Sequence, residues 1–432
     1  MSKKKGDAPI VPRELLLPFI LITSLFALWG FANAVTDPMV SAFKKVLELS
    51  NFQASLVQLS FYGGYFTLAL PAAYFMRKYS YKAGVLIGLA LYATGALLFY
   101  PAASYESYAF FLIAIYILTF GLAFLETSAN PYILSMGDPK TATRRLNLAQ
   151  AFNPVGLMGG LFVAQTFILS KLKSDDISNY SELAEPLKKA IRTSDLLIIR
   201  NPYISLGFFV IGIFLLIAFV KMPKRKNTEA LPKMGVITKR LFGIKKFRSG
   251  IIAQMFYVGA QIMCWTYIYQ YAENLDIDNE TAVNYAYLAF TLFLAGRFIF
   301  TYLLKFTTPG KLLFILTFIA VMLSLGTIFL ESLAGLYCLV GISFCMSLMF
   351  PTIFGIALEG LGEDAKVASA FMVMAIVGGA IMPVLQGLLI DLGGRSLDDH
   401  SILGVPEVNI SFVLPLICFI VVGAYGYSFR RA

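Results

Sequence analysis

Glu126 is the one charged side chain in Ile115–Leu134 (IYILTFGLAFLETSANPYIL), and the apolar character extends on its N-terminal side from about Tyr108. A run of that length can cross lipid as a helix. A carboxylate placed inside it costs about 2.5–3.5 kcal/mol on insertion scales when ionised. No Lys, Arg or His lies at comparable depth in the first half of the chain. Burial without a cation disfavours the charged form, so the chemistry open to Glu126 is taking up a proton on one side and releasing it on the other. That is the machinery of a proton-coupled transporter. The same oxygens could hold sodium instead.

Other polar side chains fall where they could share this work. Trp29, Asn33 and Asp37 are spaced by four and share one helix face. If the helix continues past Pro38 toward Lys44, Asp37 lies inside the membrane and the face forms a polar, aromatic-edged stripe; if it stops at Pro38, Asp37 only ends a helix. Asn147, Gln150 and Asn153 place three amides on neighbouring faces of a later span. They call for partners on other helices, for water or for a polyhydroxylated ligand. Tyr257, Gln261 and Trp265 again step by four, a pattern that suits the C–H face and hydroxyls of a sugar and equally suits aromatic packing. Arg297 lies about two turns from the end of its span at Lys305; it reads as a side chain that snorkels to the interface.

The elements that position these residues follow from composition. The 432 residues are 58% hydrophobic and only 14% charged, with a mean hydropathy of +0.74; a soluble chain would be nearer a quarter charged. Twelve apolar spans can be drawn, near 14–42, 54–76, 83–102, 108–136, 147–170, 203–222, 249–272, 281–305, 311–331, 333–359, 367–392 and 409–429. The expected fold is therefore an all-α membrane protein of twelve transmembrane helices. The first span is too long for a cleavable signal peptide and lacks a small-residue cleavage site.

Lys and Arg crowd one side of this layout: Lys3, Lys4, Lys5 and Arg13, then Arg77, Lys78 and Lys82, then Lys140, Arg144 and Arg145, and ten more from Lys221 to Arg248. The other side carries Lys44, Lys45, a group between Lys171 and Arg200, and Arg395. By the positive-inside rule both termini are cytoplasmic. Topology also accounts for the net charge of +10, so no nucleic-acid partner is implied. The four cysteines fall within spans and show neither disulfide nor metal-ligand spacing, and the lone His400 sits in a loop. No G-x-x-x-x-G-K-[ST] phosphate loop occurs. These absences point away from an enzyme and from ATP-driven pumping, and call for no cofactor beyond a proton as coupling ion.

The basic stretch near 223–248 divides the chain into a six-span half, 1–222, and a second, 249–432. The halves echo each other: Asn130-Pro131 before Gly137-Asp138 matches Phe350-Pro351 before Gly362-Glu363-Asp364, and Pro154 near Gly159-Gly160 matches Gly378-Gly379 and Pro383. Parallel repeats with interrupted helices at matching places put a binding site at their interface.

Six motifs then add a resemblance: LVQLSFYGGY (Leu56–Tyr65), YSYKAG (Tyr79–Gly84), LETSANP (Leu125–Pro131), RLNLAQAFN (Arg145–Asn153), YVGAQIMCW (Tyr257–Trp265) and PTIF (Pro351–Phe354). Together they make the chain similar to the L-fucose permease branch of the major facilitator superfamily, which also holds glucose/galactose transporters. The resemblance spans all twelve helices and implies two six-helix repeats in a major facilitator fold, in a bacterial inner membrane. It implies that Asp37 and Glu126 serve proton coupling and sugar recognition. It also places Gln150 and Asn153, with Gln261 and Trp265 from the other half, in the polar cavity. Ala34 and Phe350 depart from the pattern, where the fucose permease has an asparagine and a tyrosine. The expected activity is proton-coupled import of L-fucose or a related monosaccharide by a monomer bedded in membrane lipid. The alternatives are a proton- or sodium-coupled glucose/galactose transporter and a sugar sensor on the same scaffold.

Overall fold

Proline decides where several of the helices break. Its ring crowds the carbonyl four residues back and it supplies no N–H. Ahead of Pro154 the helix Ala142–Gln150 stops, and Asn153–Val163 resumes with Pro154 in its first turn. Ahead of Pro351, Leu333–Met346 gives way to Met349–Leu358. Ahead of Pro101, Tyr81–Leu97 gives way to Phe99–Ser104. Pro71, Pro131, Pro202 and Pro383 instead lie inside continuous helices.

The structure is a computed structural model that describes residues 9–36, 39–49, 51–174, 177, 183–220, 233–277, 279–390, 401–402 and 404–431. Span one is Leu16–Thr36, span two Asn51–Lys78, span three Tyr81–Ser104 and span four Tyr108–Ser135. Span five is the broken pair Ala142–Gln150 and Asn153–Val163, and span six is Glu185–Phe219. In the second half, span seven is Lys245–Thr266, eight Asn279–Leu303, nine Pro309–Phe329, ten the broken pair Leu333–Met346 and Met349–Leu358, eleven Ala365–Ile390 and twelve Val413–Ser428. Among the described residues, ten helical stretches are long and apolar enough to cross a membrane. Spans two and seven complete the twelve. They are helices of 28 and 22 residues whose glutamines, tyrosines and glycines make them more polar. Phe209 is 60% exposed and Phe219 84%; apolar surface of this kind on mid-span helices calls for lipid as the solvent.

The chain clusters into two compact units. One joins Leu17–Tyr132 to Phe152–Leu231; the other joins the stretch up to Leu16, the segment Ile133–Ala151 and everything from Pro232 onward. Within the first unit, glycines let backbones touch. A Cβ built on Gly156 would lie 1.7 Å from the Ala27 carbonyl oxygen, and one on Gly30 would lie 2.0 Å from the Asn153 oxygen, so spans one and five meet with no side chain between them. Within the second unit, spans seven and eleven repeat the device: a Cβ on Gly378 would fall 2.0 Å from the Met255 oxygen, and one on Gly259 would fall 2.4 Å from Met382 Cγ. Spans one and seven, and spans five and eleven, hold corresponding places in the two halves, so the six-plus-six repeat read in the sequence is also present in the packing.

Three features differ from the sequence reading. The polar segment ahead of span six, left outside the apolar spans in the sequence reading, runs as helix without a break from Glu185 into that span over 35 residues. Lys188 pairs with Glu48 at 3.0 Å and Arg192 with Glu106 at 3.5 Å, one helical turn apart, and these ion pairs fasten the extension to the first unit. A two-stranded antiparallel pair, Ser401–Ile402 with Val405–Pro406, adds a small β element to the helical fold. Arg297 is 3% exposed and does not snorkel. Asp37, Asp391, Arg395 and His400 lie outside the described residues.

Candidate functional site

Glu126 owes its position to glycines on span three. Cβ atoms built on Gly84, Gly88 and Gly95 would lie 2.5 Å from Ser128 Oγ, 2.8 Å from Leu125 Cγ and 2.3 Å from Leu118 N, and one on Gly121 would lie 2.4 Å from Tyr92 N. Span four therefore sits against span three along Leu118, Gly121, Leu125 and Ser128. On its other side Gly64 of span two admits Thr119, whose Cβ would be 2.8 Å from a Cβ at that glycine. With span four held from both sides, Glu126 is buried to 1% exposure. Neither carboxylate oxygen accepts a hydrogen bond of ordinary geometry among the described residues. Asn130, one turn further along, lies close enough to act on it electrostatically. Every ion pair among the described residues lies away from Glu126. A charge on Glu126 would be uncompensated, the situation expected of a group that carries a proton rather than one that locks a fold.

The same unit brings Tyr65, Trp29, Asn33 and Asn153 into the account. Tyr65 is buried beside Trp29, with ring centroids 6.4 Å apart, and Trp29 in turn lies 6.1 Å from Phe26. The Tyr65 hydroxyl is within electrostatic reach of Glu126 and of Trp29, yet makes no hydrogen bond of ordinary geometry among the described residues. The Asn33 Oδ1 is likewise buried with no hydrogen-bond partner among the described residues. Asn153 Nδ2 donates only a long bond, 3.3 Å, to the Phe26 carbonyl. Buried polar atoms are usually satisfied, and this unit leaves the Tyr65 hydroxyl, Asn33 Oδ1 and the Glu126 carboxylate without such partners among the described residues. Tyr65 was read only as part of a motif; its position in an aromatic-rich, glycine-punctuated span was the signal available.

In the other unit the predicted residues gather around Arg297. Its Nη1 points at Gln150 Oε1 from 3.5 Å, its guanidinium lies 5.0 Å from the Phe293 ring, and its Nε has no partner among the described residues. Phe293 packs edge-on to Trp265 at 5.1 Å, and Trp265 donates through Nε1 to Ser343 Oγ at 3.2 Å. Tyr257 is fully buried and donates its hydroxyl to the Met346 carbonyl at 3.0 Å. Gln261, one turn on, is half-buried. The three amides predicted on one helix are divided by the break at Pro154. Asn147 donates to the Thr143 carbonyl and to Thr352 Oγ1 at 3.2 Å, tying the start of span five to span ten. Arg145 closes the turn between spans four and five. It is fully buried and donates to the Ile133 and Leu134 carbonyls at 2.7 and 2.6 Å, to Ile10 at 2.9 Å and to Thr141 Oγ1 at 3.1 Å. Those carbonyls end span four, where intrahelical partners run out; the Ile133 carbonyl also accepts from the Met136 N–H at 3.2 Å. Among the described residues no group of His, Cys, Asp and Glu could hold a metal ion.

Comparison with known proteins gives the family. A family model described as the Major Facilitator Superfamily matches residues 20–383. The chain is 52% identical over 427 residues to the L-fucose-proton symporter of Haemophilus influenzae, covering 98% of both chains. It is 36% identical over 417 residues to the L-fucose-proton symporter of Escherichia coli, covering 95% of this chain and 92% of that one. A crystal structure of FucP, a Major Facilitator Superfamily transporter in the outward conformation, superposes with a TM-score of 0.86 at 35% identity, covering 97% and 99% of the two chains. A family match over most of the chain, joined to full-length relatives, places the chain in the Major Facilitator Superfamily.

Proposed function

We propose that the chain is a proton-coupled symporter that carries L-fucose by alternating access. The observation that carries this reading is Glu126: a carboxylate in the middle of an apolar 28-residue helix, buried and uncompensated. It stands in a protein whose full-length relatives are L-fucose-proton symporters. Glu126 bears the coupling proton and Asp37 shares that role. Trp29, Asn33, Gln150, Asn153, Tyr257, Gln261 and Trp265 supply hydrogen bonds and aromatic faces to the sugar. Arg297 orients Gln150 and stiffens the aromatic cluster around Trp265. No cofactor other than the proton takes part.

In this reading 1–222 and 249–432 are the two six-helix halves of an alternating-access transporter, with 223–248 as their link. The protein works as a monomer in the bacterial cytoplasmic membrane with both termini inside, the orientation that the basic loops favour. Uptake of labelled L-fucose into proteoliposomes, with and without an imposed pH gradient, tests the function. Accumulation that follows the gradient supports it, whereas equilibration without accumulation, or dependence on sodium alone, overturns proton coupling. Competition with glucose and galactose in the same vesicles tests the sugar; stronger competition by either than by L-fucose itself overturns the assignment of fucose.

A further inference from the structure

A groove of about 810 Å³ lies on the first unit, walled by spans one, five and six. Its lining includes Phe31, Val155, Gly159, Phe167, Ser205 and Phe209, and is apolar apart from a few serines and Asn201. A cavity of this volume is large enough for a whole ligand, but a sugar in it would leave most of its hydroxyls unpaired. Gly159 keeps it open: a Cβ there would find only Phe31 Cδ2, at 3.9 Å. Span five changes to a π-turn over Ala164–Ile168 beside the groove, a distortion that proteins retain mostly at functional places.

One end of the groove is cationic. Lys171 places Nζ 5.3 Å from the ring of Phe167. Arg200 donates through Nε and Nη2 to Oδ1 of Asn201 at 3.2 and 3.0 Å, with its guanidinium 4.9 Å from the Tyr100 ring. Both cations thus stand next to lining residues. The neighbouring acid, Asp195, is fully buried, with its oxygens accepting from the N–H groups of Lys173 and Ser174 at 3.0 Å, so it presents no free carboxylate to an anion. An apolar trough inside a membrane-spanning unit, with two basic side chains at one mouth, has the complementarity of a phospholipid that carries net negative charge. We infer that this groove binds an anionic phospholipid of the bilayer, with an acyl chain along Phe31, Gly159 and Phe209 and the headgroup phosphate at Lys171 and Arg200.

The test uses the full chain purified in detergent and stripped of lipid, with phosphatidylglycerol and phosphatidylethanolamine of the same acyl chains as probes. Native mass spectrometry and melting temperature are the readouts. Phosphatidylglycerol is expected to bind at one saturable site and to raise the melting temperature more than phosphatidylethanolamine does. Each basic residue near a headgroup contributes about 1 kcal/mol, so the double variant K171A/R200A should bind phosphatidylglycerol about thirtyfold more weakly, while its L-fucose binding is unchanged. Gly159→Leu, which fills the groove, should lose the bound lipid; should that variant not fold, Ser205→Trp fills the same space from span six. Equal binding of the two lipids by the native chain, undiminished phosphatidylglycerol binding by K171A/R200A, or a filled groove that still retains its lipid would each overturn the inference. These readouts do not depend on transport, so they stand apart from the symport reading.

Discussion

Replacing Arg145 by alanine removes the guanidinium that closes the turn between the helix bearing Glu126 and the helix bearing Gln150. Its two shortest bonds run 2.7 Å to the Ile133 carbonyl, in the interior, and 2.6 Å to the part-buried Leu134 carbonyl at the end of span four. Hydrogen bonds to a charged group contribute about 1.5–3 kcal/mol each, so the pair contributes about 3–6 kcal/mol. The further bonds to Ile10 and Thr141, part-buried like that to Leu134, are longer at 2.9 and 3.1 Å and add less. Arg145→Lys keeps the charge but not the planar fork, and cannot serve the neighbouring carbonyls together as a guanidinium does. It should therefore retain about half of the loss measured for alanine. Unfolding titrations in mixed micelles give both values. An alanine variant within about 1.5 kcal/mol of the native protein, the lower edge of one such bond, or a lysine variant equal to native, would refute the reasoning and show that water serves these carbonyls equally well.

Gly156→Ala should prevent spans one and five from packing and leave little folded protein, because its methyl would meet the Ala27 backbone at 1.7 Å; Gly159→Ala, with 3.9 Å of room, should be tolerated, and the folded yield of the two by size-exclusion chromatography checks the contrast. Arg297→Met should weaken L-fucose binding at least severalfold by freeing Gln150 and the Phe293–Trp265 pair, whereas Arg297→Lys should lose less. Titration of Trp265 fluorescence with the sugar reads both variants, and native affinity in the methionine variant would remove Arg297 from the site.

Much of this was legible in the sequence for definite physical reasons. Glu126 stood out because lipid leaves so few places for a carboxylate. Spans five and ten do break at Pro154 and Pro351, but the prolines the sequence paired with them, Pro383 and Pro131, lie inside continuous helices, so these interruptions are not matched between the halves. Arg297 was misjudged because its distance from a helix end says nothing about which way the side chain points; Phe293 four residues earlier, on the same face, takes up the guanidinium instead. Arg145 was hidden among the basic residues that mark topology, since a lysine-rich or arginine-rich loop does not reveal which member turns inward to cap a helix. The continuity of span six was obscured by polar residues between Glu185 and Arg200, which read as an exterior loop although Lys188 and Arg192 dock them as helix. Glycine-mediated contacts such as Gly30 with Asn153 depend on which helices are neighbours, and only the fold supplies that.

The most direct measurement of the central claim is sugar movement in proteoliposomes carrying the native chain or Glu126→Gln, with uptake driven by an imposed pH gradient and exchange followed without one. A proton-bearing Glu126 predicts that the amide variant loses gradient-driven accumulation of L-fucose while it still binds the sugar and can exchange it across the membrane. Accumulation by Glu126→Gln that still rises with the pH gradient, at a rate near that of the native chain, would contradict the account.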